Sequence, residues 1–295
     1  MNDDVLQWLL DGDPAVRWRV LRDLTDADDD SVARERERVA DEGWGARLLA
    51  EQRDDGGWGE GVYSPKWTST TYTLLHLLWL GLPARHEAAL RGCERLWEWE
   101  KSWRVPETCV AGILVRLTGA FRYDAERLDG LVGHLAREQL DDGGWNCKSR
   151  GDKTMHSSFH TSIQALEALD AYRRAGGTVE VDAAISRGHE FFLRHRLYQS
   201  HRTGAVAIPA STKFPAFPEW HFDVLRGLEH FAGAAHRDDR LGDAVEVVRA
   251  ARRRDGRWST YTGYAGKQFF RLEEPGASRL NTARALHVLR WWEAS

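Results

Sequence analysis

The sequence contains a ten-residue segment that occurs twice, first as Ala50-Glu-Gln-Arg-Asp-Asp-Gly-Gly-Trp58-Gly59 and again as Arg137-Glu-Gln-Leu-Asp-Asp-Gly-Gly-Trp145-Asn146. A weaker third copy is Arg253-Arg-Asp-Gly-Arg-Trp258-Ser259. Each copy ends an amphipathic helical pattern and leads, after a loop, into an apolar helical pattern. Tandem glycine after a helix is a common left-handed terminator. The segment therefore marks the turn of a helical hairpin, and its recurrence predicts a repeat protein.

The hairpin pattern returns about every 50 residues, as expected of a helical array. The second helices of the hairpins are apolar on most faces and are predicted at Pro14 to Leu24, Trp67 to Leu80, Pro106 to Phe121, Ser157 to Tyr172, Pro218 to Phe231 and Arg279 to Trp292. The first helices are richer in charge and are predicted at Val5 to Leu10, Ser31 to Gln52, Glu87 to Ser102, Ala125 to Gln139, Val181 to Gln199 and Arg240 to Arg254. A helix that is apolar all round is a buried helix. The pattern predicts a single all-α domain over residues 1–295, a closed (α/α)6 toroid with six inner and six outer helices around a cavity. An open solenoid is the alternative.

The composition is that of a globular protein, with 42% hydrophobic residues and a formal net charge of -4, which excludes a basic nucleic-acid binder. No apolar run approaches the roughly 20 residues that span a bilayer, and the first residues lack the pattern of a signal peptide. We therefore expect a cytoplasmic protein.

The cysteines, Cys93, Cys109 and Cys147, are odd in number and far apart in sequence, which favours reduced thiols.

The first turns of the inner helices supply candidate metal ligands. If these helices begin at one rim of the cavity, their first turns form a ring of Thr71, Cys109, His160, His221 and Asn281. Cysteine and two histidines are ligands of a tetrahedral zinc site that keeps a fourth position for water or substrate. In the alternative interpretation, Cys109 is a small buried residue and both histidines are hydrogen-bonded at helix starts.

Two carboxylates flank the candidate ligand His221. Glu219 lies two residues before it and Asp223 two residues after it. Each is a candidate acid, base or hydrogen-bond partner of a histidine.

The loops between outer and inner helices are long and mix aromatic residues with lysine. The candidate substrate-binding residues among them and at the rim are Trp67, Trp220, Tyr261, Tyr264, Lys66, Lys213, Lys267 and Asn281. The lysines would form a basic mouth above an aromatic cavity, which suits an amphiphile with an anionic head such as a diphosphate. In the alternative interpretation, the lysines are only solvated, and the aromatic rings anchor the loops to the helices.

The repeated segment carries a family resemblance. Gln52-x-x-x-Gly56-x-Trp58 and Gln139-x-x-x-Gly143-x-Trp145 resemble the Gln-Trp repeat of squalene-hopene cyclases and the Gly-Gly-aromatic turns of protein prenyltransferase beta subunits. The resemblance implies a toroid in which glycine permits the turn, tryptophan packs against helix ends and glutamine ties neighbouring units together. It indicates fold more strongly than function.

Shorter motifs resemble the functional residues of the same families. Glu107-x-Cys109 and Phe159-His160-Thr161 are similar to the Asp-x-Cys and Tyr-His-Thr of the prenyltransferase zinc site, with Glu in place of Asp, so the resemblance implies Glu107 as a further ligand. Squalene-hopene cyclases protonate an alkene with an Asp-x-Asp-Asp acid, which Asp26-Ala27-Asp28-Asp29 matches. That match precedes an outer helix, in an acidic run that includes a capping Ser31, and this context favours a solvated turn.

These features predict an enzyme whose cavity binds a hydrophobic substrate, such as an isoprenoid diphosphate, with zinc held by Cys109, His160 and His221. Asp223 or Glu219 would handle protons. The second hypothesis is a metal-free, acid-catalysed terpene cyclase or isomerase. The third is a non-catalytic helical-repeat scaffold, which would expose an apolar surface and bind a second subunit or a second copy of itself. A sugar-processing toroid is the fourth, and it would need a carboxylate pair at the rim.

Overall fold

A computed structural model describes residues 3–102, 107–124, 126–147, 156–262 and 264–294. These residues are mostly helical, as predicted, and include one pair of two-residue antiparallel strands, β1 Trp258–Ser259 and β2 Ala277–Ser278. The α-helices are α1 Asp3–Leu10, α2 Pro14–Leu24, α3 Asp29–Glu37, α4 Gly43–Ala50, α5 Thr70–Leu80, α6 Glu87–Glu100, α7 Thr108–Phe121, α8 Leu128–Arg137, α9 Phe159–Arg174, α10 Asp182–Arg194, α11 Val224–Gly233, α12 Gly242–Ala250 and α13 Arg279–Glu293. Short 3₁₀ helices lie at Pro209–Thr212 and Asp239–Leu241.

The helices predicted to be inner ones carry most of the core. Nearly every residue of α5, α7 and α9 is buried, whereas α3 buries none. This contrast follows the sequence, because the buried helices are apolar around their circumference. Within the described ranges, no helix combines the length and apolar character that crossing a membrane requires. The cellular compartment stays a prediction.

Two predicted helices differ in the structure. The predicted helix from Ser31 to Gln52 is divided into α3 and α4, because Gly43 has a φ of +63° and turns the chain between them. The predicted helix from Pro218 begins only at Val224, where the Asp223 carboxylate accepts a hydrogen bond from the Arg226 backbone N–H and forms the N-cap. Glu219 therefore lies in a turn before α11, which the His221 N–H closes by donating to Pro218 O at 2.8 Å. The predicted helix starts at Pro106 and Ala125 lie outside the described residues.

Neighbouring apolar helices pack against one another in pairs. Gly112 and Gly119 lie on the face of α7 that meets α9, where a Cβ atom would come within 3.1 Å and 3.2 Å of carbonyl oxygens of α9. Close packing also joins α5 to α7, α11 to α13 and α13 to α2. Trp18 Nε1 donates to the carbonyl oxygen of Leu80 at 2.8 Å and thereby links α2 to α5.

The repeated segment has the structural role that its resemblance implies. Gln52 Nε2 donates to the carbonyl oxygen of Gly56 at 2.9 Å and to that of Ala88, on α6, at 2.7 Å. Gln139 makes the same two bonds, to Gly143 and to Ala184. Gly56, Gly143 and Gly256 all have positive φ, between +79° and +93°. The segment is therefore a structural connector between consecutive hairpins.

Candidate active site

An aromatic chamber of about 460 Å³ lies beneath the long loop between β1 and β2. Its aromatic walls are Trp67, Phe217, Tyr261, Tyr264, Phe269 and Phe270, and Glu219 and His76 also line it. Backbone bonds hold the loop across the chamber: Trp67 N–H donates to Lys267 O at 3.1 Å, and Lys267 N–H donates to Lys66 O at 2.6 Å. Three of the four predicted wall residues line the chamber. Trp220, the fourth, stacks instead on His221, with ring centroids 3.8 Å apart.

Glu219 presents a buried carboxyl group at the wall of the aromatic chamber. One carboxyl oxygen, Oε1, lies 2.7 Å from Nε2 of His76, and both side chains are buried. The other oxygen, Oε2, is buried without a hydrogen-bond partner among the described residues. Burial raises the pKa of Glu219, although His76 and Arg226 act in the opposite direction. A buried carboxyl with a raised pKa and one unpartnered oxygen is a candidate functional group.

Arg226 fixes the backbone that carries Glu219. Its Nη1 donates to the carbonyl oxygens of Glu219 at 3.1 Å and His221 at 2.6 Å. Its Nε donates at 3.0 Å to Glu167 on α9, so the guanidinium is itself anchored. Glu219 has a φ of +56°, which is uncommon for a residue with a side chain. The arginine therefore stabilises an unusual backbone conformation that directs Glu219 into the chamber wall.

Asp223 is the second predicted proton-handling residue. It is fully buried, and its Oδ1 caps α11 while Oδ2 has no hydrogen-bond partner among the described residues. Burial raises its pKa to about 6, against the opposing effect of Arg284. Asp223 does not line the aromatic chamber, so Glu219 is the better placed of the two carboxyls.

His160 and His221 are brought together, with ring centroids 5.6 Å apart. His160 Nδ1 accepts the backbone N–H of Phe222 at 2.8 Å, and the His221 ring stacks on Tyr264 at 3.5 Å. Burial lowers the pKa of each histidine to about 4. Both rings are consequently neutral at pH 7, and His221 Nδ1 is buried without a hydrogen-bond partner among the described residues.

The sulfur of Cys109 is bonded to that of Cys147. The two Cα atoms are 5.8 Å apart, and the Cys109 N–H approaches Cys147 Sγ at 3.2 Å. The expectation of reduced thiols is therefore wrong for this pair, whereas Cys93 is free and buried. A sulfur in a disulfide is not the thiolate that zinc requires.

The predicted zinc ligands do not assemble among the described residues. Glu107 is exposed, and its side chain makes no capping hydrogen bond at the start of α7. Within the ranges that the structure describes, no three His, Cys, Asp or Glu side chains form a group that could hold a metal ion. Zinc stays a prediction, and these residues as placed do not fit it.

The predicted basic mouth is dispersed. Lys66 Nζ lies 5.1 Å from the ring centroid of Trp220, and Lys213 Nζ lies 5.1 Å from that of Tyr261. Lys267 forms an exposed ion pair with Glu60. None of the three lines the aromatic chamber. Asn281 is buried and structural: Nδ2 donates to the carbonyl oxygen of Phe214 at 2.7 Å.

The Asp26-Ala27-Asp28-Asp29 match is a helix start. Asp28 is the N-cap of α3, and its carboxylate accepts the Ser31 backbone N–H at 2.7 Å. The cap is thus Asp28, and Ser31, predicted to be the cap, lies inside the helix. These bonds lower the pKa of the exposed Asp28 carboxyl, which is the opposite of what a proton donor needs.

A second, arginine-lined cavity of about 350 Å³ was not predicted from the sequence. We call it the arginine chamber, and its charged residues are Arg19, Arg22, Asp23, Arg116, Glu167, Asp170, Arg174, Arg226, Glu229 and Arg284. Ala216 and Phe217 line both cavities, so this short segment forms the partition between them. The Phe217 ring stacks on His76, with centroids 4.4 Å apart. The sequence feature that indicates this cavity is a single arginine within an otherwise apolar helix, as at Arg116 in α7.

The fold and cavities define a helical-repeat protein with a buried carboxyl at an aromatic chamber. Comparison with protein-family models, with curated proteins and with solved structures gave no match. The function therefore has to be argued from the site itself.

Acidification is expected to destabilise the fold between about pH 7 and pH 5. Burial lowers the pKa of His160 and His221 to about 4 and that of His189 to about 3. Unfolded histidine has a pKa of about 6.5, so the unfolded chain binds protons first as the pH falls. The raised pKa values of Asp223 and Glu219 act in the opposite direction and offset part of the histidine contribution.

Each net proton that the unfolded chain binds beyond the folded one lowers the unfolding free energy by about 1.4 kcal/mol per pH unit. Urea unfolding at a series of pH values measures this dependence. The His189→Gln variant, which lacks one of the titrating groups, should show a shallower dependence. A protein as stable at pH 5 as at pH 7 would contradict the assignment.

Proposed function

We propose that the six apolar helices α2, α5, α7, α9, α11 and α13 form a closed ring, the (α/α)6 toroid that the repeats predict. The pairwise packing of α5, α7 and α9, and of α11, α13 and α2, supports this arrangement. Side-chain bonds bridge the two remaining junctions, from Trp18 to Leu80 and from Arg226 to Glu167. In this arrangement the aromatic chamber and the arginine chamber are two compartments of one lumen.

We propose that the protein is an enzyme that performs metal-free acid catalysis on a hydrophobic alkene, as terpene cyclases and isomerases do. The observation that carries this proposal is the Glu219 carboxyl, held through Oε1 by His76 and unpartnered at Oε2, in the wall of an aromatic chamber. A volume of about 460 Å³ lies in the range of small-molecule sites. We further propose that the chamber binds an acyclic isoprenoid.

The chemistry of the proposed step follows from these groups. With His76 donating through Nε2 to Oε1, the acidic proton resides on Oε2. A rotation of the carboxyl brings the buried Oε2 to the chamber, where it transfers the proton to one carbon of the substrate double bond. The π electrons form the new C–H bond and leave a carbocation on the other carbon. The electron-rich faces of the chamber rings stabilise that cation. Loss of a proton to the Glu219 carboxylate then gives an isomerised or cyclised alkene and restores the acid.

The other hypotheses have less support. A zinc-dependent prenyl transfer would need the Cys109 thiolate, which is bonded to Cys147. A scaffold would need an exposed apolar surface, and among the described residues Val206 is the only large hydrophobic side chain that is exposed. A sugar-processing toroid would need a pair of reactive carboxylates. Glu273 lines the aromatic chamber with Glu219, but its carboxylate accepts hydrogen bonds from Ser278 Oγ and from the backbone N–H groups of Arg279 and Leu280 at the start of α13. Acid catalysis uses the groups that the aromatic chamber presents.

The direct test is to incubate the full-length protein with farnesol in D₂O and to analyse the terpenoids by gas chromatography and mass spectrometry. The proposal expects a new isomer or cyclic product that carries one deuterium at the carbon that was protonated. Treatment with a metal chelator should leave the rate unchanged. Farnesol, geraniol and squalene that are all recovered unlabelled would overturn the proposal for isoprenoid alkenes.

A further inference from the structure

The arginine chamber is a second site, distinct from the acid and the aromatic walls. It is lined by the C-terminal halves of α2, α5, α7 and α9 and by residues of α11 and α13. Its arginines range from exposed to buried: the side chains of Arg174 and Arg22 are 63% and 46% exposed, whereas those of Arg284 and Arg226 are 7% and 2% exposed. The chamber therefore has a cationic entrance at one end and buried cations at the other.

Positive charge exceeds negative charge on the walls of this chamber. Six arginines face four carboxyl groups among the lining residues that the structure describes. Arg116 and Arg226 share one carboxylate, that of Glu167, while Glu229 pairs with Arg284. Asp170 also pairs with Arg173, which lies outside the chamber. The walls thus carry an excess of about two positive charges, which attracts a dianion.

Arg19 is the arginine whose charge is least compensated. It forms no ion pair with any described residue, and its buried Nε has no hydrogen-bond partner there. Its Nη2 donates a hydrogen bond to the carbonyl oxygen of Trp79 on the neighbouring helix α5. Burial lowers the pKa of Arg19 to about 10, so the group remains charged at pH 7. Glu229 and Asp23 act on this charge only from a distance, without a direct ion pair, and an anion bound in the chamber would compensate it directly.

We propose that the arginine chamber binds a compact small-molecule dianion, with Arg174 and Arg22 at its entrance and Arg19 as a buried ligand. Guanidinium groups bind phosphate and carboxylate oxygens through paired N–H donors, and a cavity of about 350 Å³ accommodates a diphosphate or a short dicarboxylate. The site does not depend on the acid chemistry of Glu219. The Phe217 ring of the partition stacks on His76, which is the hydrogen-bond partner of Glu219. The dianion would therefore lie on the opposite side of the partition from the acid.

Isothermal titration calorimetry of the full-length protein with sodium pyrophosphate tests this site, and succinate serves as the dicarboxylate probe. Wild-type protein is expected to bind one equivalent, with an affinity that falls as salt is added. The Arg19→Gln variant should bind about tenfold more weakly or worse, because a charge-assisted bond is lost. Arg174→Gln changes a largely exposed side chain at the entrance, and it should weaken binding in the same direction.

The control is Arg38→Gln, which removes the same charge from the exposed surface of α3 and should bind as wild type does. Glu219→Gln should also bind as wild type, so that failure of the acid proposal and failure of this one are distinguishable. Stronger binding of pyrophosphate than succinate would assign the site to phosphate groups, and the reverse to carboxylates. No binding at about 10 mM of either probe, or equal weakening by Arg38→Gln, would overturn the proposal.

Discussion

The Glu219→Gln variant is expected to lose at least about 99% of the acid-catalysed turnover while remaining folded. Glutamine has nearly the same size and keeps a carbonyl oxygen that can accept the bond from His76. It has no acidic proton at the position of Oε2, which is the unpartnered oxygen of the wild-type protein. Deuterium incorporation from D₂O into the terpenoid product measures the loss, and circular dichroism checks the fold.

Two variants serve as matched controls for that experiment. Asp223→Asn keeps the oxygen that caps α11 and should retain most of the activity, because Asp223 does not line the aromatic chamber. Asp28→Asn removes the acid of the Asp-x-Asp-Asp match and should have no effect, because Asp28 caps an exposed helix. If Asp223→Asn lost activity while Glu219→Gln kept full activity, the catalytic acid would be Asp223 and not Glu219.

The repeated segments made the helical hairpins predictable because their information is local. Glycine at positive φ, a buried tryptophan and a glutamine that bonds the next hairpin recur at fixed spacing. Apolar periodicity likewise placed α2 correctly from Pro14 to Leu24. The pattern failed where a side chain from elsewhere determines the backbone. The sequence before α11 predicts a helix. In the structure, Arg226 hydrogen-bonds to the carbonyl oxygens of Glu219 and His221 and holds this segment in a non-helical conformation.

The site was only partly predictable for the same reason. Glu219 was identified by its position beside His221, but its partner His76 lies 143 residues away, and only the folded chain brings them together. A signal for His76 was present, since it is the one ionisable side chain other than Tyr72 in the apolar helix α5. The pairing of Cys109 with Cys147 could not be predicted, because it depends on how the chain after Trp145 returns to the start of α7.

The Trp145→Ala variant is expected to lose about 5 kcal/mol of unfolding free energy, as large substitutions of buried aromatic residues do. Trp145 is completely buried, and its Nε1 donates to the carbonyl oxygen of Leu135 at 2.7 Å. Its backbone N–H donates to Ser162 Oγ at 2.9 Å, so the residue joins the end of α8 to the start of α9. Truncation would leave both a cavity and an unpaired carbonyl. Urea unfolding followed by tryptophan fluorescence measures the change.

The repeat supplies the controls for this substitution. Trp58 and Trp258 are equally buried and make the equivalent bonds to Leu48 and Val248, so Ala at either position should cost about as much. Trp145→Phe keeps most of the ring volume but loses the donor to Leu135, and it should cost about 1–3 kcal/mol. A Trp145→Ala protein of wild-type stability that has lost turnover would place this residue in the chemistry. Equal destabilisation at all three positions, with activity retained in the folded fraction, would establish that the tryptophans hold consecutive hairpins together.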